Sequence, residues 1–284
     1  MSAWLEPEPH NWWTIVEDAM AEDVGNGDIT SGCLPPDLMV SWQIEAQGEG
    51  LLSGVGIAEH LLAPYGPDPE DATIQVHKVD GEYFRRGDVV IEGYHLARRV
   101  LMAERTALNF LMPMSGVATL TGQFVEKVKG TKARIIDTRK TIPGMRALQK
   151  YAVRCGGGHN HRMGLYDGAM IKDNHIAAVG SIKKAVEAVR SYASHMTKVE
   201  VECESLEQVK EAVEAGADVI LLDNMDPFMM REACTKYAGS CLFEASGGIS
   251  LDTVGGVAKT GVDLISVGPL THSAPASSFH MEIE

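Results

Sequence analysis

Arg139, Lys140, Arg162 and Lys172 belong to three separate segments of one short window, and their types point to anion chemistry. Between Lys132 and Lys172 the chain carries nine lysines and arginines against two acids, a balance of +7, whereas the whole molecule stands at −14. The cations are gathered rather than spread for solubility, and such gathering in an acidic protein suggests a local anion site. Basic residues commonly form a solvated helix face. Here their placement argues otherwise. Arg139 and Lys140 follow the apolar run IID, Arg162 follows a triple-glycine loop, and Lys172 follows the apolar run GAMI. Arginine presents a planar fork that matches a carboxylate, and lysine a point charge suited to phosphate or to a developing anion. Three or more such groups from different segments suit a small, multiply charged anion.

The elements that must position these residues fall into two regimes. NWWTIVEDAMAED, from Asn11 to Asp23, predicts an amphipathic helix with Trp12, Ile15, Val16 and Ala19 on one face and Gly25 and Gly27 ending it. Trp12 and Trp13 read as packing residues. SWQIEAQ, ATIQVHKV and DVVIEG alternate with period two between turn residues and predict antiparallel strands with one face buried, with a short helix at GVGIAEHLLAPYG. YHLARRVLMAERTALNF predicts a long helix with Leu96, Val100, Ala103, Ala107 and Phe110 on its buried stripe and Arg105 off it. A break at MPMSG then precedes a second helix, VATLTGQFVEKVKG.

From there strand and helix alternate about every 20 residues. ARIIDTR leads into PGMRALQKYAVRC, with Pro143 in the first turn. GAMIKD, KVEVEC, DVILLD and LFEASG each precede a helical stretch, and DLISVG closes the series. About six strands can be counted, too continuously apolar to have one wet face, and a parallel sheet covered by helices closes naturally into a barrel. The last stretch, SSFHMEIE, alternates like a strand that returns to the first sheet. The reading is therefore a smaller N-terminal α+β domain over residues 1–113, joined by a strand over 275–284, and a β/α barrel over 114–274.

In barrels the chemistry sits at the carboxyl ends of the strands. Those ends carry Arg139 and Lys140, Lys172, Glu202, Asp223, Ser246 with Gly247 and Gly248, and Gly268. The glycines, together with a helix opening near Ser250, suit a phosphate cradle, although SGG alone is often only a turn. Glu202 and Asp223 could be partners of the nearby cations.

DTRKTIPG, GGGHNHRMGL, IKDNH, VEVEC, LLDN and EASGGI stand in an order that resembles the quinolinate phosphoribosyltransferase family, and the likeness extends from EDVGNGDITS to THSAPASSF. The resemblance implies an incomplete, about seven-stranded β/α barrel with an N-terminal α+β sandwich. It also implies transfer of a phosphoribosyl group from 5-phosphoribosyl-1-pyrophosphate to quinolinate, giving nicotinate mononucleotide, pyrophosphate and CO₂ in NAD biosynthesis. Arg139, His161, Arg162 and Lys172, with Thr138, would take the two acceptor carboxylates, joined by Arg105 from the partner of a homodimer, which a larger assembly could incorporate. Lys140 and Lys172 with Glu202 and Asp223 would form the catalytic set. Mg²⁺ would be held by Glu202 and Asp223, directly or through water, and Ser246, Gly247, Gly248, Gly268 and His272 would bind substrate. His159 reads as a loop residue beside His161. A Schiff-base lyase using Lys172 or Lys140, a metabolite sensor of the same fold, and a transferase with another pyridine acceptor are the rival readings.

Composition narrows the class further. Hydrophobic residues make up 45% of the 284, enough for a sizeable core. No apolar run approaches the roughly 20 residues of a spanning helix, so no membrane partner is expected. The opening MSAWLEPEPHNWW lacks the basic and apolar regions of a leader, which predicts a cytoplasmic protein. Five cysteines, none spaced CxxC, argue against a disulfide framework or a zinc site. A pI near 5.1 disfavours nucleic acid.

Overall fold

The computed structural model describes residues 12–63 and 69–284. Asn11, the acidic opening of the chain and the PYG segment after Ala63 therefore lie outside the described residues. By their internal contacts the residues divide into two units: 1–122 with 141–157 and 270–284, and 123–140 with 158–269. These boundaries differ from the sequence-drawn ones after residues 113 and 274, chiefly because residues 114–122 and 141–157 cluster with the first unit.

The first unit is built on an antiparallel sheet of β1 (Met39–Ala46), β3 (Thr73–Val76), β5 (Val89–Leu96) and β12 (Phe279–Ile283), in the order β12-β1-β5-β3. β2 (Gly50–Leu51) and β4 (Tyr83–Phe84) form a small second ribbon. The C-terminal strand does pair with β1, from Trp42 against Ile283 to Ala46 against Phe279. α1 (Trp13–Val24) and α2 (Val55–Leu62) complete its local structure. Trp12 and Trp13 stack at 4.3 Å, with His60 edge-on to Trp13 at 4.1 Å, so both indoles serve packing.

Tyr94 to Leu96 belong to β5, and the helix predicted from Tyr94 starts at Ala97 instead. It also does not break: α3 runs unbroken from Ala97 to Val128, with Pro113 inside it. A proline inside a helix forfeits a hydrogen bond and costs about 3 kcal/mol. Phe110, Leu111, Met114, Val117 and Ala118 are buried around it, and each large apolar side chain buried returns about 2 kcal/mol. Local bonds add to this packing. Ser115 Oγ accepts from Ser53 N–H at 3.0 Å and donates to Ser53 O at 3.2 Å, and Thr119 Oγ1 accepts from Leu51 N–H at 2.9 Å. Gly116 is required by close approach: a Cβ there would lie 2.1 Å from Pro275 O, on the segment leading into β12.

The second unit holds a parallel sheet of β6 (Arg134–Ile136), β7 (Ala169–Ile171), β8 (Val199–Cys203), β9 (Val219–Asp223), β10 (Leu242–Ser246) and β11 (Leu264–Ser266), in the order β6-β11-β10-β9-β8-β7. A seventh strand position is reduced to one residue. His159 makes a parallel bridge to Ile136, its N–H donating to Ile135 O at 2.8 Å and its carbonyl accepting from Asp137 N–H at 3.2 Å. Six strands plus this bridge make the incomplete seven-membered barrel that the resemblance implied, and they give His159 a main-chain role.

The helices that alternate with these strands along the sequence are α4 (Arg146–Cys155), which belongs to the first unit, α5 (Asp173–Val179), α6 (Ile182–Tyr192), α7 (Leu206–Glu214), α8 (Pro227–Lys236) and α9 (Val254–Ala258), followed by α10 (Pro269–His272). Pro143 lies in a turn ahead of α4, not in its first turn, because the chain coils at residues 143–145 before the helix begins. α9 starts at Val254, four residues later than the opening expected near Ser250, because Ser250 to Thr253 close a turn of their own.

Candidate active site

Each strand of the parallel sheet delivers one or two polar residues at its carboxyl end. After β6, Asp137 is fully buried, Thr138 is half-buried, and Arg139 and Lys140 are exposed. Thr138 Oγ1 accepts from Lys140 N–H at 3.0 Å, which turns the chain so that two cations follow one strand end. Asp137 then fastens the next segment. Its carboxylate accepts from His161 N–H at 2.9 Å and from Asn160 Nδ2 at 2.6 Å, so the HNHR loop is tied to the end of β6.

Arg162 lies at the end of that loop. Its guanidinium donates to Gly168 O at 2.8 Å, closing a turn in which Asp167 accepts from Met163 N–H and Gly164 N–H at 2.7 and 2.9 Å. Burial lowers the Arg162 pKa from its ordinary value, and the Arg139 charge lowers it further. Arginine stays charged through any such shift. Two guanidinium groups close enough to oppose each other form a local field that an anion would relieve.

Lys172 follows β7, and its ammonium is ion-paired with Glu202 Oε2 of β8. A Schiff-base lysine needs an amine free to attack a carbonyl, whereas the Lys172 amine is engaged by Glu202, which speaks against the lyase reading at Lys172. Asp223 ends β9 and accepts from Asn224 Nδ2 at 2.9 Å. Asn224 carries a positive φ of 51°, and its N–H donates to Ser246 O at 3.0 Å at the end of β10. Gly247 follows with φ 96°. A Cβ at Gly247 would meet Asn224 Oδ1 at 2.1 Å, so both the backbone angle and the space demand glycine there. Gly248 also has positive φ, at 58°. With α9 only five residues long, the main-chain amides of this loop, rather than a helix terminus, are what the cradle can offer an anion.

Thr138, Arg139, Lys140, His161, Arg162, Lys172, Glu202, Asp223, Ser246, Gly247, Gly248 and Gly268 thus all lie at carboxyl ends within the second unit. Arg105 and His272 belong to the first unit. The Arg105 side chain is 61% exposed on α3, near Glu104 at 3.6 Å, and His272 Nδ1 lies 2.6 Å from Ser273 Oγ.

Three buried polar groups lie outside what the sequence marked. Glu200 and Glu244 are buried inside β8 and β10, at 7% and 1% exposure. His161 Nε2 lies 3.1 Å from Glu200 Oε2 and 3.9 Å from Glu244 Oε2. Burial, and then the Glu200 charge, raise the Glu244 pKa well above the carboxylate range. A signal existed: residues two apart share one face of a strand, so in VEVEC Glu200 faces the same way as Glu202. Gln149 of α4, also buried, accepts from Ile142 N–H at 2.9 Å and donates to Thr271 O. Nothing in the helical pattern marked it.

Among the described residues, the His, Cys, Asp and Glu groups tight enough to surround a metal ion gather at His161, Glu200 and Glu244, not at Glu202 and Asp223. Glu202 and Asp223 therefore offer hard oxygen donors without a closed cage. That suits a Mg²⁺ ion completed by waters and substrate phosphates.

Comparison with known proteins finds similarity along nearly the whole chain. Residues 28–115 match the family described as quinolinate phosphoribosyl transferase, N-terminal domain, and residues 117–282 match its C-terminal domain. The chain is 43% identical over 264 residues to the probable nicotinate-nucleotide pyrophosphorylase [carboxylating] of Bacillus subtilis, spanning 92% of this chain and 90% of that protein. It is 44% identical over 264 residues to the nicotinate-nucleotide pyrophosphorylase [carboxylating] of Mycobacterium leprae, spanning 91% and 92%. The crystal structure of NadC from Streptococcus pyogenes superposes with a TM-score of 0.92 at 37% identity, covering 98% of each chain.

Proposed function

Because the chain belongs to the quinolinate phosphoribosyl transferase family, we propose that it transfers the phosphoribosyl group of 5-phosphoribosyl-1-pyrophosphate to quinolinate and decarboxylates the adduct, yielding nicotinate mononucleotide, pyrophosphate and CO₂. The observation that carries this reading is the opposition of Arg139 and Arg162 at neighbouring strand ends, with Lys172 following the next. A pyridine with two adjacent carboxylates brings the two negative charges such a field calls for.

In this reading Arg139 and Arg162 fork the acceptor carboxylates and Lys172 adds a third positive charge. The acceptor nitrogen attacks the anomeric carbon of the donor, and the bond to pyrophosphate breaks. Lys140 meets the departing pyrophosphate, while Gly247, Gly248 and Gly268 give the 5-phosphate of the transferred ribose room against main-chain amides. Glu202 and Asp223 hold the ribose hydroxyls and favour its developing positive charge. Mg²⁺, when bound through Glu202 and Asp223, would supply further charge to the pyrophosphate. Loss of CO₂ leaves an electron pair on the carbon beside the quaternised nitrogen, which stabilises it. A proton completes the product.

The chain needs no covalent nucleophile. Holding two mutually repelling anions in contact can lower the barrier by several kcal/mol through proximity, and fixed charges add to it. The reading extends to a homodimer in which Arg105 reaches the partner's site, consistent with its exposure on α3. It also extends to a cytoplasmic location, where five free cysteines would stay reduced.

Acceptor choice tests the reading. With the donor and Mg²⁺ present, kcat/KM for quinolinate should exceed that for nicotinate, which carries one carboxylate, by at least about tenfold, the worth of one charged hydrogen bond. Preference for nicotinate would move the enzyme to another pyridine acceptor. Mixing inactive Arg105→Ala and Lys172→Ala proteins tests the shared site: activity should return in the hybrid dimer, and its continued absence would place Arg105 outside the partner's site.

A further inference from the structure

The buried acids beneath the cation set have no place in the chemistry above. Glu200 and Glu244 project from two strands of the parallel sheet that are separated by β9, and their oxygens gather with a ring nitrogen of His161 within 4.8 Å. Carboxyl groups this deep destabilise a fold unless something uses them. The imidazole shows the use. Arg162 N–H donates to its Nδ1 at 2.6 Å, which commits that lone pair and leaves the ring proton on Nε2, directed at Glu200 at 3.1 Å. Both ring nitrogens are therefore spent on the protein.

We propose that Glu200 and Glu244 are positioning residues for the acceptor: they grip the His161 ring from inside the barrel, and the ring grips the Arg162 main chain, so that His161 sets the pose of the Arg162 guanidinium instead of meeting the acceptor with a ring nitrogen. Donors and acceptors alternate along the chain of contacts. Burial, and then the Glu200 charge, raise the Glu244 pKa well above its ordinary value, and the Glu244 carboxyl shares a hydrogen bond with Glu200. Glu200 accepts the His161 N–H, and His161 accepts from Arg162. Asp137 closes the other side by accepting the His161 N–H of the main chain and the Asn160 amide. The segment that presents Arg162 is thus fixed by three buried acids, Asp137 just past β6, Glu200 of β8 and Glu244 of β10, before any acceptor arrives.

This inference deepens the reading of the site as a quinolinate pocket, and its test separates the two. In the unliganded protein with ¹⁵N-labelled histidine, the His161 ring, identified by its loss in His161→Asn, should show the Nε2–H tautomer. That pattern should survive in Glu244→Gln, whose amide can still donate to Glu200, and disappear in Glu200→Leu. With quinolinate as the probe acceptor, Glu200→Leu should raise the acceptor KM at least tenfold and leave the donor KM within twofold. Glu200→Gln, which keeps an oxygen at the same place, should restore most of the loss. An Nδ1–H tautomer in the wild type, equal changes in both KM values, or one equivalent of divalent metal bound by these three side chains would overturn the proposal. Should Glu200→Leu fail to fold, or quinolinate fail to react, the wild-type tautomer alone decides the outcome.

Discussion

At the scale of single residues, the site separates charges that touch substrate from charges that hold them. Arg139→Ala and Arg162→Ala each remove a charged fork worth about 1.5 to 3 kcal/mol. The expected outcome is an acceptor KM raised roughly tenfold to a hundredfold with the donor KM little changed, measured by varying each substrate at saturation of the other. Equal effects on both would contradict the assignment. Arg162→Lys should recover little, because an ammonium cannot make two parallel bonds. Glu244 gives a pH prediction. Its native pKa lies above the ordinary 4.5, so between those two values the folded state holds a proton the unfolded state has lost. Its cost to stability is absent at low pH and grows as pH rises through that window. Glu244→Gln lacks the ionisation, so by denaturant unfolding its stability relative to the wild type should improve as pH rises above the ordinary carboxyl value of 4.5.

At the scale of elements, strand ends were legible and helix boundaries were not. GAMIKD, KVEVEC, DVILLD and LFEASG announced themselves as buried parallel strands, and the barrel rule then put Lys172, Glu202, Asp223 and Ser246 at their carboxyl ends, where they are found. Pro113 misled because its local cost is visible in sequence, while the burial that outweighs it and the Ser115 and Thr119 bonds to residues 51–53 arise only in the fold. The strand at His159 was invisible because one bridge has no periodicity. Buried acids inside apolar runs were legible in principle, since the alternation of VEVEC puts Glu200 on the face of Glu202. The α2 terminus offers a test of element stability. Asp80 accepts from Gly54 N–H and Val55 N–H at 2.9 and 3.0 Å and from the Tyr151 hydroxyl at 2.7 Å. Asp80→Ala leaves a helix start uncapped and should cost about 2 kcal/mol or more, read as a lower Tm. An unchanged Tm would deny the cap its role. Gly247→Ala should raise the donor KM more than the acceptor KM, because the strained angle and the Asn224 clash both fall in the proposed phosphate loop.

At the scale of the molecule, an acidic protein of net charge −14 sets four of its cations, Arg139, Lys140, Arg162 and Lys172, at the carboxyl end of a parallel sheet. Desolvation raises the pKa of four of its thiols: the buried Cys155 and Cys203 are pushed up to about 12 and the half-buried Cys234 and Cys241 to about 11, while Cys33 is exposed. The thiolate is the reactive form, so at neutral pH an alkylating reagent should label Cys33 promptly and the other four only after unfolding, by mass spectrometry. Prompt labelling of Cys155 would show that the first unit opens locally. The most direct measurement of the central claim uses quinolinate labelled in the carboxylate beside the ring nitrogen, with 5-phosphoribosyl-1-pyrophosphate and Mg²⁺, and follows labelled CO₂ together with nicotinate mononucleotide. The account predicts that both appear in equal amounts, only when the donor is present. Folded protein that forms neither product, or that releases CO₂ without the donor, would contradict it.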